Sequence, residues 1–431
     1  MTPLDYDRKH IWHPYASLSN PPRVRLAERG EGVEIILSDG RRLIDGVSSW
    51  WCVAHGHNHP AIVEAMRRQS EKLCHVMFGG FTHDPAVELA ERIAAFAPKG
   101  LDKVFFADSG SISVEVAVKM ALQYQQAKGR PSRCKMVSLK GGYHGDTACA
   151  MALSDPDGMH VLFRGMMPTH YFVSKPEGGL PALAEWSREL ENLVEEREGE
   201  IAGIICEPVF QAANAMNFYP PEYLLEMRRV CDEYDLVLVF DEIAAGLWRT
   251  GVRWAHERAG ISPDVMCIGK ALTGGHITLA ATVASEGVAD AISSGDVGAF
   301  MHGPTYMANP LACAAANASL DLFSRSDYGA MARRIESEFK DSISSLVSLP
   351  NVRDVRIKGA VGIVEVERLP SREDIDSVID ETGVWLRPFS NYIYAMPPLV
   401  SDSNVIRRIV NAMSEMAKLP PGPETSGDFH E

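Results

Sequence analysis

The chain has 431 residues, 46% hydrophobic and 23% charged, as expected of a folded protein with a large core and two domains. Its formal net charge of −15 argues against a nucleic-acid or anionic-membrane partner, because both need a basic face. No apolar run approaches the roughly 20 residues of a membrane span, and the acidic start Met1-Thr-Pro-Leu-Asp-Tyr-Asp7 lacks the apolar core of a secretory signal.

Residues 1–54 read as a mixed N-terminal segment, with a hairpin over Glu34–Asp45 around Asp39-Gly40. From 55 to 325 strands and helices alternate. Helical periodicity predicts helices over Pro85–Ala97, Ser111–Lys128, Pro221–Asp235 and Asn309–Phe323. Apolar runs predict strands at Val104–Ala107, Met136–Leu139, Ile201–Cys206, Leu236–Phe240 and Val265–Ile268. This alternation implies an α/β fold with a mainly parallel central sheet in a large domain. From 326 to 418 a charged helix (Tyr328–Val347) is followed by short strands at Val352–Ile357, Gly362–Val366, Val384–Arg387 and Tyr392–Met396. That is a smaller α+β domain, with which the N-terminal segment is expected to pack. Residues 419–431, opening Leu419-Pro-Pro-Gly-Pro, read as a flexible tail. The eight cysteines are scattered with no Cys-x-x-Cys pair, which suits free thiols in a reducing cytoplasm.

Two strand ends carry the chemistry. Val237-Leu-Val-Phe runs into Asp241, and Val265-Met-Cys-Ile-Gly runs into Lys270. Open α/β sheets bind ligands at the carboxyl ends of their strands. An acid to hold a protonated ring nitrogen and a lysine to form a Schiff base are the groups that pyridoxal phosphate (PLP) chemistry needs. The blander readings are a solvated lysine and a turn-capping aspartate. Burial beside a cation favours a lysine's neutral, nucleophilic amine.

Other strings are compatible with the same pocket. Asp108-Ser-Gly110-Ser111 sits between a strand and a helix, where free N–H groups and the helix dipole cradle phosphate, or where a serine simply caps. Tyr143, in Gly141-Gly-Tyr-His-Gly-Asp146, could stack on a flat ring or merely pack. Thr305, in His302-Gly303-Pro304-Thr305, could cap the next helix or donate to a phosphate. Arg387, after Val384-Trp-Leu, suits bidentate recognition of a carboxylate or a structural ion pair. Trp12-His-Pro-Tyr15 and Ser48-Ser-Trp50-Trp51 are aromatic clusters that fill a core or wall a pocket for an aliphatic substrate. His55-Gly-His57-Asn-His59 invites a metal reading. With no Cys, Asp or Glu cluster beside it, it reads as loop histidines and no metal is expected.

Together these strings resemble the class III (omega-amino acid) branch of the fold-type I PLP-dependent aminotransferases, nearly end to end. The resemblance rests on the Asp241/Lys270 pair and on His10-Ile-Trp-His-Pro-Tyr15, Asp45-Gly-Val-Ser-Ser-Trp-Trp51, His75-Val-Met-Phe-Gly-Gly80, His302-Gly-Pro-Thr-Tyr-Met307 and Gly383-Val-Trp-Leu-Arg-Pro-Phe389. It implies a PLP transaminase with Lys270 and Asp241 catalytic, Tyr15 assisting, and the cofactor held by Gly110, Ser111, Tyr143, Pro304 and Thr305. It further implies a substrate site formed by Tyr15, Trp50, Trp51, Tyr143, Gly303, Arg387 and Tyr394. The aromatic and arginine strings point within the branch to an aliphatic keto-acid acceptor, with S-adenosylmethionine or another amine as donor. The rivals are a class III enzyme for a diamine, beta-amino acid or omega-amino acid, and a catalytically silent PLP-fold binding protein. The resemblance also implies a homodimer with an active site shared between subunits. Two stretches depart from the branch's usual pattern. Gln211-Ala-Ala-Asn-Ala-Met216 stands for Gln-Gly-Ala-Gly-Gly-Met, and Ala245 and Leu247-Trp248 stand for Thr and Phe-Gly. The lost glycines are expected to restrict the backbone there.

Overall fold

All five apolar runs are strands of one seven-stranded sheet. In chain order its members are β1 (Leu101–Ala107), β2 (Lys135–Leu139), β3 (Tyr171–Val173), β4 (Ile201–Cys206), β5 (Val237–Asp241), β6 (Val265–Ile268) and β7 (Ala280–Ser285). The computed structural model describes residues 1–423, and the spatial order of the sheet is β1-β7-β6-β5-β4-β2-β3. β5 pairs in parallel with β4 and β6, and β2 with β3 and β4. The exception is β7, which runs antiparallel to both neighbours. The central strands β4 and β5 are buried at every residue, as their unbroken apolar runs require. Gly203 of β4 cannot be larger, since a Cβ would lie 2.3 Å from the Val237 carbonyl oxygen.

The chain divides into two compact units, one of residues 60–332 and the other of residues 1–59 with residues from Arg333 onward. The larger contains the seven-stranded sheet and helices including α1 (Asp84–Phe96), α2 (Gly110–Ala127) and α3 (Pro310–Arg325). Helix α2 buries Val114, Ala117, Val118 and Ala121 in a core shared with Ala202, Val237, Val239 and Val265 of the sheet.

The smaller unit has two sheets. One has the order Ala27–Glu31, Glu34–Leu37, Arg42–Asp45, Val384–Trp385, its last pair parallel. The other joins Val352–Lys358, Val361–Val366 and Tyr392–Ala395, all antiparallel. Arg25, with 6% of its side chain exposed, ties the N-terminal segment to the helix Arg372–Thr382 through Asp376 at 2.8 Å and Asp380 at 3.2 Å. Of the tail expected at 419–431, residues 424–431 lie outside the described residues; within the rest, the Gly422 N–H donates to the Leu369 carbonyl.

Candidate active site

The carboxyl ends of β1, β2, β4, β5 and β6 emerge along one edge of the larger unit's sheet. That edge collects Asp108–Ser111, Lys140–Asp146, Glu207, Asp241 and Lys270 from distant parts of the sequence. Asp241 is the last residue of β5 itself rather than the first beyond it, and is 3% exposed. Its register partner on β6 is Cys267, three residues before Lys270. Lys270 opens a short 3-10 turn (Lys270–Thr273) with a left-handed backbone at φ 44° and is half-buried. Such strain in a non-glycine residue is held only by its surroundings and clusters at functional sites.

Asp241 is clamped from both sides. One carboxylate oxygen accepts from His144 Nδ1 at 2.8 Å and the other from the Ile243 N–H at 3.1 Å. His144 is buried, and its Nε2 has no hydrogen-bond partner among the described residues. Glu207, just past β4 and 4% exposed, accepts from the backbone N–H of Tyr143 and of Ala212, each at 3.0 Å. Burial pushes Glu207 up to about 7; the Asp241 charge adds to that and His144 opposes it. Tyr143 stacks beside His160 with ring centroids 5.8 Å apart, and both donate to Asp146 Oδ1, at 3.1 and 2.8 Å.

The helix start differs from expectation. Helix α2 begins at Gly110, and its cap is Ser109, whose hydroxyl accepts from the Ile112 N–H at 3.4 Å. Ser111 lies in the first turn, and its Oγ accepts from the Asp146 N–H at 3.3 Å. The first-turn N–H groups of a helix have no intrahelical acceptor and suit an anion. Gly145 closes over this helix start at φ +124°, where an added Cβ would lie 2.1 Å from Ser111 Oγ. The capping alternative holds for a serine, Ser109, but fails for Thr305. Asn309 caps α3, accepting from Leu311 and Ala312 N–H, while Thr305 is exposed and its carbonyl accepts from His75 Nε2 at 2.8 Å. Gly303 and Pro304 share that loop.

The remaining expected site residues lie in the smaller unit. Trp50 is 44% and Tyr15 46% exposed, whereas Trp51 and Tyr394 are buried, at 6% and 1%. Trp51 Nε1 donates to the Tyr394 hydroxyl at 3.4 Å, and burial pushes that phenol up to about 12. The Arg387 guanidinium lies over the Trp50 ring, 4.9 Å from its centroid, and forms no ion pair among the described residues. Of the three alternating histidines, His57 Nε2 donates to Asp45 at 2.9 Å, and the His55 and His59 rings lie 6.3 Å apart. His144 and Glu207 were missed as site residues. Glu207 follows an apolar strand just as Asp241 and Lys270 do, so the same sequence rule would have found it.

The two departures from the family pattern behave differently. No residue from Ala212 to Ala215 has a positive φ, so the lost glycines there constrain nothing. Leu247 and Trp248 do adopt left-handed backbones, at φ 48° and 65°. The Trp248 ring stacks on Phe323 at 5.0 Å, meets Phe96 edge-on at 6.1 Å and lies beneath the Arg253 guanidinium at 5.7 Å.

A buried acid for a ring nitrogen, an amine three residues beyond its register partner, and an anion cradle at a helix start along one sheet edge fit PLP. With the sheet order, they define a fold-type I PLP-dependent transferase. The family model Aminotransferase class-III matches residues 15–417. The chain is 42% identical to the adenosylmethionine-8-amino-7-oxononanoate aminotransferase of Buchnera aphidicola subsp. Acyrthosiphon pisum, over 95% of this chain and 96% of the relative. The solved structure of the like-named Methanocaldococcus jannaschii protein superposes with a TM-score of 0.88 at 31% identity, covering 96% of this chain and 98% of that one. An amine transaminase from an uncultivated Pseudomonas species, solved with PLP bound, gives 0.90 at 30% identity, with 95% and 99% covered. The chain belongs to the class III aminotransferases, and its cofactor is PLP.

Proposed function

We propose that this enzyme transfers an amino group to the ketone of 8-amino-7-oxononanoate, giving 7,8-diaminononanoate in biotin biosynthesis, with S-adenosylmethionine as donor. The similarity over nearly the whole chain to a relative named for that substrate pair carries the reading. The smaller unit's side chains support it. Trp50 and Tyr15, both exposed, offer an apolar surface for an aliphatic chain, with Trp51 packed on Tyr394 in the interior of the same unit, and Arg387, without an ion-pair partner among the described residues, offers a fork for its carboxylate.

Bound PLP supplies an electron sink through which an amino group is taken from one substrate and given to another. In this reading Asp241, kept oriented by His144 and the Ile243 N–H, holds the proton on the ring nitrogen. Lys270 holds the cofactor between turnovers and, once displaced, carries the proton at its Nζ as general acid and base. Tyr143 covers the ring face, and the N–H groups at Gly110 and Ser111 hold the phosphate. Tyr15 and Gly303 border the substrate. The chain acts as a homodimer, with the partner subunit's Thr305 and Pro304 completing the phosphate site. Met77, Phe81, Met301 and Tyr306, each more than 60% exposed, support a covering partner on that face. Eight unbridged cysteines suit a cytoplasmic enzyme, and no helix among the described residues is long and apolar enough to cross a membrane.

Steady-state assays with 8-amino-7-oxononanoate, pyruvate and 2-oxoglutarate as acceptors test the proposal. Turnover should be confined to the first. Turnover with only the other two would replace this reading with a general omega-amino acid transaminase.

A further inference from the structure

Four consecutive residues without a glycine among them, Ser48, Ser49, Trp50 and Trp51, have φ of 50°, 46°, 65° and 72°. L-residues are disfavoured in this region singly, and a run of four persists only when the surroundings over-determine it. The surroundings here centre on Asp45, which is fully buried. Its Oδ1 accepts from the Val47 N–H at 3.3 Å, and its Oδ2 accepts from Ser49 Oγ at 2.6 Å and from His57 Nε2 at 2.9 Å. Ser48 Oγ fixes the start of the turn by donating to the Met396 carbonyl at 2.7 Å. The Trp51 and Cys52 N–H groups close it by donating to the Val47 and Ser48 carbonyls. His57 is itself seated against a bare backbone, since a Cβ on Gly30 would lie 2.5 Å from its Cβ. The turn buries Trp51 against Tyr394 and leaves Trp50 outward, its ring under the Arg387 guanidinium.

We infer that Asp45 and His57 are positioning residues for acceptor recognition. They hold the left-handed turn that sets the Trp50 face beneath Arg387, and this pre-orients the guanidinium for the acceptor's carboxylate. This deepens the proposed function and rests on its assignment of Arg387 to that carboxylate. It gives a role to the middle histidine of the His55–His59 string, as a donor to a buried acid.

The test uses PLP-loaded wild type and the His57→Ala, His57→Gln, Gly30→Ala and Arg387→Ala variants. The readouts are acceptor KM and kcat, and the rate of the donor half-reaction alone. His57→Ala and Gly30→Ala should each raise acceptor KM about tenfold, the scale of one lost cation–π contact or charge-assisted hydrogen bond. Their kcat and donor half-reaction should stay within about twofold of wild type. His57→Gln puts an amide N–H where Nε2 stood and should restore KM. Gly30→Ala displaces the ring without deleting a polar group, so the inference stays exposed if one variant folds poorly. An unchanged acceptor KM in both His57→Ala and Gly30→Ala, with Arg387→Ala raising it, would overturn the inference and leave the proposed function standing. An unchanged KM in Arg387→Ala would instead remove the assignment on which it rests.

Discussion

Trp248 replaces the family's glycine at a left-handed position, so its ring contacts must outweigh the strain it adds. Trp248→Gly removes the stack on Phe323, the edge contact with Phe96, the tilted contact with Tyr328, and the surface beneath Arg253. Truncating a buried aromatic costs about 3–5 kcal/mol; Trp248 is only partly buried, so the lower end applies. Glycine at φ 65° recovers about 1 kcal/mol of backbone strain. The net loss is about 2 kcal/mol, which in a unit of this size lowers Tm by about 4–6 °C. Calorimetry of PLP-loaded wild type and variant measures it, with kcat expected to be unchanged because no site residue is touched. A Tm equal to or above wild type would refute the reasoning, since the aromatic contacts would then not offset the strained backbone.

Lys270→Ala should lose the borohydride-fixable link to PLP and at least about a thousandfold in turnover; a fixed adduct at another lysine would displace it from its role. Gly145→Ala forces a Cβ onto Ser111 Oγ and should weaken PLP binding at least about tenfold, read by titrating the apoenzyme with the cofactor. Glu207 gives a pH signature. Its folded-state value of about 7 lies above its ordinary 4.5, so the folded state binds that proton more tightly. Its stabilising share is full below pH 4.5 and is lost as pH rises through about 7, a fall of about 3 kcal/mol. Glu207→Gln stays neutral, so the stability lead of wild type over variant in urea unfolding should shrink by about that much between pH 5 and 8. A lead independent of pH would contradict the raised carboxyl.

The core strands were legible because burial on both faces needs unbroken apolar runs, and β4 and β5 begin and end within a residue of those runs. β7 was not legible. Its Ala280-Ala-Thr-Val-Ala-Ser285 has too little bulk to stand out, and it is fixed as a strand by β6 and β1 pairing on either side. The acid and amine at strand ends were visible from sequence, but the bond from His144 to Asp241 spans 97 positions and exists only through sheet order. The left-handed run at Ser48–Trp51 carries no glycine signal, because the buried carboxylate of Asp45, not local chain freedom, imposes it. A serine does cap its helix, at Ser109, but Asn309 rather than Thr305 caps the other, a shift of a few residues that composition alone does not resolve.

The most direct test of the proposed reaction is a single turnover. Enzyme converted to its amine-loaded form is freed of donor, mixed with 8-amino-7-oxononanoate, and the products are read by mass. Stoichiometric 7,8-diaminononanoate, with return of the yellow PLP absorbance, is the expected result. Unchanged 8-amino-7-oxononanoate, from enzyme that does discharge its amine onto pyruvate, would contradict it.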